Sequence, residues 1–416
     1  MPLYGIVANE GHGHVVTAVL IAMVAMLLTA TSYGRMARVY PSAGSAYTYV
    51  TAEFGSGAGY IVGWVILLDY LLNPLICTIW CSSAAANLLP SIPLRLWAFF
   101  FAVLFTMVNL RPVESSARVN QWLAALMGVV VAWMLFCMLR FVVHTQPHRP
   151  SFLTSPFYDP AMFSWGAVWT GTSVAALTYI GFDSISTLSE EAINPERNIL
   201  RATVLTCFLT GILAAAEVYL AQLVWPTRKP FPDLNTAYVH IAGVAGGRTL
   251  FHVVNATLLI ATVGSGIGTQ LGAARLLYGM GRDNVLPRRF FGSIEPIRGI
   301  PRNNVLFIGA LALCGSLAIT YQLGAELLNF GAFLAFMGVN ASALRHYFLT
   351  GKNRTWSYFA LPAAGFLVCL YMWINLRWTA KLIGLAWLLV GILYSLVRRR
   401  VPMRTSATIV ESEFTQ

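Results

Sequence analysis

Apolar residues run along this chain in long uninterrupted blocks, not in the short alternations of a half-buried strand. Segments near 14–33, 60–89, 94–110, 121–143, 165–189, 201–225, 249–273, 304–321, 327–348, 357–375 and 380–397 each approach the roughly 20 residues that cross a hydrocarbon core of about 30 Å. The pattern predicts an all-α chain with about 11 crossing helices. The second segment is long enough to tilt or bend, and it contains Pro74.

Composition agrees with the pattern. The 416 residues are 57% hydrophobic and 10% charged, whereas a soluble domain has about 45–50% apolar and about 25% charged residues. Mean hydropathy is +0.67. The chain is therefore expected to be an integral membrane protein with the lipid bilayer as its first partner. A net charge of +11 would favour nucleic acid only if the basic residues gathered on one face. They lie instead in short loops between apolar segments, so no nucleic acid partner is expected.

Those loops assign sides, because Lys and Arg accumulate on the cytoplasmic face. Alternate loops hold Arg35 and Arg38; Arg111 and Arg118; Arg197 and Arg201; six arginines between Arg275 and Arg302; Arg345, Lys352 and Arg354; and Arg398, Arg399, Arg400 and Arg404, which is 19 of the 27 basic residues. The carboxyl terminus is then cytoplasmic. With about 11 crossings the amino terminus falls outside, and MPLYGIVANEGHGH opens in mid-apolar sequence without a signal peptide. The expectation is that a first helix is missing, with residues 1–13 as the remnant of its outer end and the following loop.

Chemistry-bearing residues stand out because the background is so apolar. Asp183 lies inside a crossing segment, preceded by Gly181 and followed by Ser184, Ser186 and Thr187. A charge at the centre of a span costs roughly 2.5–3.5 kcal/mol on insertion scales and marks a substrate or ion path. Gly and short hydroxyl side chains are what a local unwinding needs, and broken helices present bare backbone groups to ligands in transporters. The competing reading is a packing glycine and an aspartate satisfied by a neighbouring hydroxyl. Asp69, with Asn73 and Pro74 close behind, belongs either to the substrate site or a proton relay, or to a structural hydrogen bond. Glu217 is a weaker candidate, expected to face the interior. Glu190 and Glu191 oppose the dipole at a helix end and predict basic partners such as Arg35 and Arg38, as a cytoplasmic gate or as a plain ion pair.

Other features carry less. ATVGSGIGTQLG (261–272) follows no strand, so its glycines point to close helix contact and not to a nucleotide loop. His12 and His14 read as solvated loop residues. The six cysteines all fall in apolar runs without CxxC spacing, as packing residues do. No Walker loop, HExxH or GxSxG is present, so neither an enzyme nor a bound cofactor or metal is expected.

Four stretches together resemble a known family: SYGRMARVYPSAGSAYTYV (32–50), GWVILLDYLLNP (63–74), GFDSISTLSEEAINPERNILRA (181–202) and RLLYGMGRDNVLP (275–287). They are similar to signatures of the amino acid, polyamine and organocation transporter superfamily, and within it to the bacterial putrescine importer type. The resemblance implies a LeuT-like fold of twelve helices, ten of them in two inverted five-helix repeats with discontinuous first and sixth helices. On this chain it implies a first, incomplete repeat over 14–145, a second over 160–349, two added helices over 357–397, and a tail over 398–416. The broken sixth helix maps to Ile180, Gly181, Phe182, Asp183 and Ser184. Ser265 and Asn329 would stand near the cavity, and segment 34–55 would pack beneath the path. Two departures matter: the family's first helix is expected to be missing before Pro2, and segment 121–143 lacks the lysine of some proton-coupled relatives.

The resulting expectation is a secondary transporter in a bacterial inner membrane, importing a small amine, putrescine first, with proton or sodium coupling. An amino acid permease of the same fold is one alternative. A shortened, non-transporting membrane protein with a sensor or binding role is the other.

Overall fold

In a computed structural model, all residues are described except 1–2, 43, 112–116, 146–148, 190–191, 227–229, 283–284, 297–298, 352–354 and 399–416. The helices in chain order are α1 (Tyr4–Glu10), α2 (Val15–Val39), α3 (Ser45–Phe54), α4 (Ser56–Leu88), α5 (Leu94–Asn109), α6 (Ala117–Thr145), α7 (Pro150–Thr154), α8 (Trp165–Ala175), α9 (Pro195–Val224), α10 (Ala237–Arg282), α11 (Arg288–Phe291), α12 (Arg302–Ala318), α13 (Tyr321–Leu344), α14 (Trp356–Ile374) and α15 (Trp378–Arg398). No strand occurs among the described residues.

Eight of these helices are long and apolar enough to cross a membrane: α2, α4, α6, α9, α10, α13 with its π-helical continuation Arg345–Leu349, α14 and α15. The chain is a multi-pass membrane protein. Fewer continuous spans are present among the described residues than the apolar pattern predicts; the two short helices and one broken segment account for the difference, and one further span differs in its bounds. Helices α5 and α12 are apolar but shorter. The predicted segment 165–189 is not one helix: α8 stops at Ala175 and gives way to two 3₁₀ stretches, Ala176–Thr178 and Phe182–Leu188. Helix α10 begins earlier than predicted, at Ala237, and Gly247 inside it takes φ 73°, so the run is two helices meeting at a glycine kink.

The chain divides into two compact units. The first comprises Met1–Asp69, Asn120–Leu258 and Tyr321–Leu385. Helix α13 is its spine, buried on every side from Tyr321 to Ala343, as expected of a helix that is apolar all round. Helix α2 packs against α8, α9, α13 and α14. Small residues set the close approaches: a Cβ on Gly34 would fall 2.6 Å from the Leu200 Cα, and one on Gly331 2.5 Å from the Val65 carbonyl oxygen. By contrast α6 exposes Trp122, Val129 and Phe136, an apolar face suited to lipid.

The second unit comprises Tyr70–Val119, Leu259–Thr320 and Ala386–Gln416. Here α5 packs on α12, and polar side chains bind the helices together: Gln270 donates to Thr106 Oγ1 (3.0 Å) and the Val305 carbonyl (3.1 Å), and Asn109 donates to the Ile267 carbonyl (3.0 Å). Cys77 and Cys81 pack with Ala85, Phe101 and Phe105, the role their apolar setting predicts. Gly266, from the glycine-rich run, meets Phe105 so closely that a Cβ would stand 2.4 Å from its ring.

His14 departs from the expectation of a solvated loop residue. Its Nε2 accepts from the Asp159 amide (3.1 Å), leaving Nδ1 to donate to the Gly11 carbonyl (3.2 Å), and it is buried. His12 is exposed, with φ 46°. The histidine expected to be solvated therefore braces the α1–α2 turn.

Candidate functional site

The break after α8 is built by one glycine and a ladder of hydroxyls. Gly181 takes φ 117°, a left-handed value that L side chains rarely adopt, and nothing lies within 4 Å of where its Cβ would be. Beyond it, carbonyls that an α-helix would satisfy four residues on are met by side chains: Ser184 donates to Gly181 O (2.5 Å), Ser186 to Asp183 O (2.6 Å) and Thr187 to Ser184 O (2.6 Å). This is the role of short hydroxyl residues where a helix unwinds inside a membrane. Asn194, at φ 52°, and Pro195 then start α9.

Asp183 sits in this break, half-buried. Its Oδ1 accepts from the Gly181 amide (3.1 Å), and the amides of Asp183 itself and of Ser184 also bear on the carboxylate. Gly181 and Ser184 are exposed and Ile180 is half-buried. A carboxylate thus stands at an opening of the backbone where an ammonium group could meet it.

Phe182 is placed differently from its neighbours. Its ring is buried at 2% exposure, edge-on to Tyr33 of α2 (5.6 Å between centroids) and tilted against Phe336 of α13 (5.3 Å). Tyr33 and Phe336 meet edge-on at 5.8 Å, closing a three-ring cluster of favourable aromatic geometry. The cluster anchors the break to two spans and turns Phe182 away from the exposed side of the backbone. Two further ties hold the segment: Tyr179 donates to the Val19 carbonyl (2.9 Å), and Ser186 shares a hydrogen bond with Ser45 of α3 (2.7 Å).

Asp69 of α4 lies within electrostatic reach of Asp183. Its Oδ1 is shut off from solvent and has no hydrogen-bond partner among the described residues. Asn329 of α13 is fully buried and donates to the Ser173 carbonyl of α8 (2.7 Å), bracing the helix that leads into the break. Ser265 belongs to the second unit, where it receives the Cys77 thiol at 4.0 Å. Glu190 and Glu191 lie outside the described residues. Glu217 is buried, as expected.

At the other end of α13 the charged residues form a latch. Glu53 of α3 accepts from Tyr40 Oη (3.0 Å), pairs with His346 Nδ1 (2.8 Å) and lies 3.9 Å from Arg345 Nε. Burial, reinforced by the Glu53 carboxylate, pushes the Tyr40 phenol up to about 12, so it remains a donor at ordinary pH. Arg35 donates to the Ser357 carbonyl (3.1 Å) and lies over the Tyr358 ring (4.6 Å), a cation–π contact. Glu53, His346 and the ring cluster were not legible as site residues, since each partner comes from a distant segment.

Comparison with known proteins places this geometry in context. The chain matches the amino acid permease family model over residues 2–409. It is 35% identical over 398 residues to the low-affinity putrescine importer PlaP of Escherichia coli K12, covering 94% of this chain and 87% of that protein. The branched-chain amino acid permease BcaP of Lactococcus lactis is 28% identical over 408 residues, with 92% and 86% covered. A vacuolar cationic amino acid transporter of Arabidopsis thaliana is 27% identical over 372 residues, with 82% and 59% covered.

Proposed function

Because the chain belongs to the amino acid permease family of the amino acid, polyamine and organocation superfamily, whose members are transporters and not enzymes, we propose that it imports a small cationic amine, putrescine first, across a bacterial inner membrane. Transport proceeds by alternating access in a LeuT-like arrangement of inverted repeats over 14–145 and 160–349, driven by a proton or sodium gradient. The 19 basic residues of the alternate loops support a cytoplasmic carboxyl terminus.

One observation carries the reading: a carboxylate, Asp183, at a glycine break inside an apolar span, with exposed backbone on either side. An ammonium ion suits that arrangement, because a carboxylate and bare carbonyls both favour positive charge. Asp69 stands near enough to act on the same cation or to carry the coupling proton, and Ser184 and Ile180 line the opening. Glu190, Glu191 and Arg35 are assigned to the cytoplasmic gate, and Ser265 and Asn329 to the cavity and its supports.

The test is uptake of labelled putrescine by Asp183→Asn. Asparagine keeps an acceptor for the Gly181 amide and removes the charge. Losing a hydrogen bond to a charged group costs about 1.5–3 kcal/mol, so uptake efficiency should fall about 10- to 150-fold with folded protein intact. Unchanged uptake would remove Asp183 from the site. A second reading, an amino acid permease, is favoured by the similarity to a branched-chain amino acid permease. Competition of uptake by unlabelled leucine against unlabelled putrescine separates the two.

A further inference from the structure

At the start of α13, far from the latch, two acids meet over a single amide. Gln322 Nε2 donates both to Glu10 Oε1 of α1 (2.9 Å) and to Glu326 Oε1 of α13 (3.1 Å). Two oxygens bonded to one nitrogen lie within about 6 Å of each other, where charges act strongly. Glu326 is 1% exposed, and its Oε2 is buried with no hydrogen-bond partner among the described residues. Glu10 is half-buried, and Arg377, exposed, acts on Glu326 from the α14–α15 turn. With both acids ionised, the two carboxylates and this guanidinium leave one negative charge uncompensated. A buried carboxylate oxygen without a partner is costly, and a cationic donor arriving beside it would complete the set.

The position fits an entrance. Glu326 to Leu344 spans eighteen residues of helix, about 27 Å, close to the roughly 30 Å hydrocarbon thickness, and Leu344 leads directly into the Arg345–His346–Glu53 latch. The loop charges put that latch on the cytoplasmic side, so the acidic pair faces outward. Phe336, which touches the Phe182 ring beside Asp183, is ten residues further along, about 15 Å from Glu326. The acids therefore precede the break on an inward path.

We propose that Glu10 and Glu326 form an outer site for an alkylammonium group, which the incoming amine occupies before it reaches Asp183. The site rests on the amine reading above. Gln322 holds the two carboxylates together, Glu10 makes the first contact from the rim, and the Glu326 Oε2 takes an ammonium N–H.

The experiment is concentration-dependent uptake of radiolabelled putrescine by the full chain in proteoliposomes, for the wild type, Glu10→Gln, Glu326→Gln and Glu326→Asp. In both glutamine variants the half-saturating concentration should rise about tenfold while the maximal rate stays within about twofold. Glu326→Asp, which keeps the charge, should recover most of the loss. Curves identical to wild type in both glutamine variants would overturn the site. So would a collapsed maximal rate at unchanged half-saturation, which would make these acids gating groups. If Glu326→Gln does not elute as folded protein, Glu10→Gln decides alone, because its half-buried side chain tolerates the change. A wild type that takes up leucine and no putrescine overturns the amine reading and this site with it, whereas amine uptake insensitive to Glu10 and Glu326 overturns the outer site only.

Discussion

Gly181→Ala isolates the backbone of the break from its packing. The native φ of 117° is one that a Cβ opposes, yet nothing lies within 4 Å of that Cβ, so the substitution adds strain without a clash. Holding an L residue in left-handed backbone costs roughly 1–2 kcal/mol. Alanine returns about 0.4–1 kcal/mol by restricting the unfolded chain. The net change in stability is then between about 0 and about 1.6 kcal/mol, and the variant should fold. The strain can be relieved locally if residues 176–184 straighten toward the helix that α8 begins. Straightening would withdraw the Gly181 amide from Asp183 Oδ1 and redirect the Ser184 hydroxyl from the Gly181 carbonyl. About 1–2 kcal/mol of bias is a factor of roughly 5 to 30 in population, so uptake should drop by about that factor while the melting midpoint in detergent barely moves. Gly34→Ala provides the opposite signature: its Cβ would fall 2.6 Å from the Leu200 Cα, a backbone atom that cannot rotate away. Overpacking of this kind costs about 1–3 kcal/mol and should lower the melting midpoint and the yield of folded protein. If Gly181→Ala transports like wild type, or loses folded protein as Gly34→Ala does, the break is not what presents the substrate groups.

Two further substitutions test the supports of the site. Glu53→Ala removes the common acceptor of Tyr40 and His346 and the partner of Arg345; the loss should be about 1–3 kcal/mol, seen as faster amide exchange over 345–349 with little change near Asp183, and unaltered exchange would show that the latch holds nothing. Tyr179→Phe deletes the hydrogen bond to the Val19 carbonyl and should cost about 1 kcal/mol, read as a modest fall in melting midpoint, with a rise or no change counting against that tie.

How much of this was legible in the sequence depended on range. The glycine, the aspartate and the hydroxyls of 181–187 are neighbours in the chain, so the break could be read locally, and Ile180–Ser184 does fall between and within its two 3₁₀ stretches. Its length could not, because extending the 3₁₀ turns back to Ala176 and on to Leu188 depends on anchors from elsewhere. Tyr33, Phe336 and Ser45 supply those anchors from three separate helices. The same reasoning explains Phe182: it was expected at the site as part of the broken helix, whereas rings offered by α2 and α13 draw it into the core.

Charge tells the same story at the two ends of α13. Arg345 was visible as one of many cytoplasmic cations, and the loop bias that oriented the chain needed only its sign. That it should face Glu53 across nearly three hundred residues of sequence, or that Glu326 should meet Glu10 over Gln322, requires knowing which helices lie side by side. An apolar pattern specifies that α13 is buried, since it has no polar face to offer water, but it does not specify its neighbours. The small residues do part of that: Gly331 admits the Val65 carbonyl and Gly365 admits Asn340, fixing α13 between α4 and α14. Once α13 is held there, its few polar positions have only protein to face. Asn329 finds the Ser173 carbonyl and Asn340 finds Thr29, which are ordinary helix-bridging bonds. Asn329, Asn340 and Glu326 each keep one buried oxygen without a partner among the described residues, but in Glu326 that oxygen belongs to a carboxylate beside a second acid, and its demand for positive charge sets it apart from the two neutral amides.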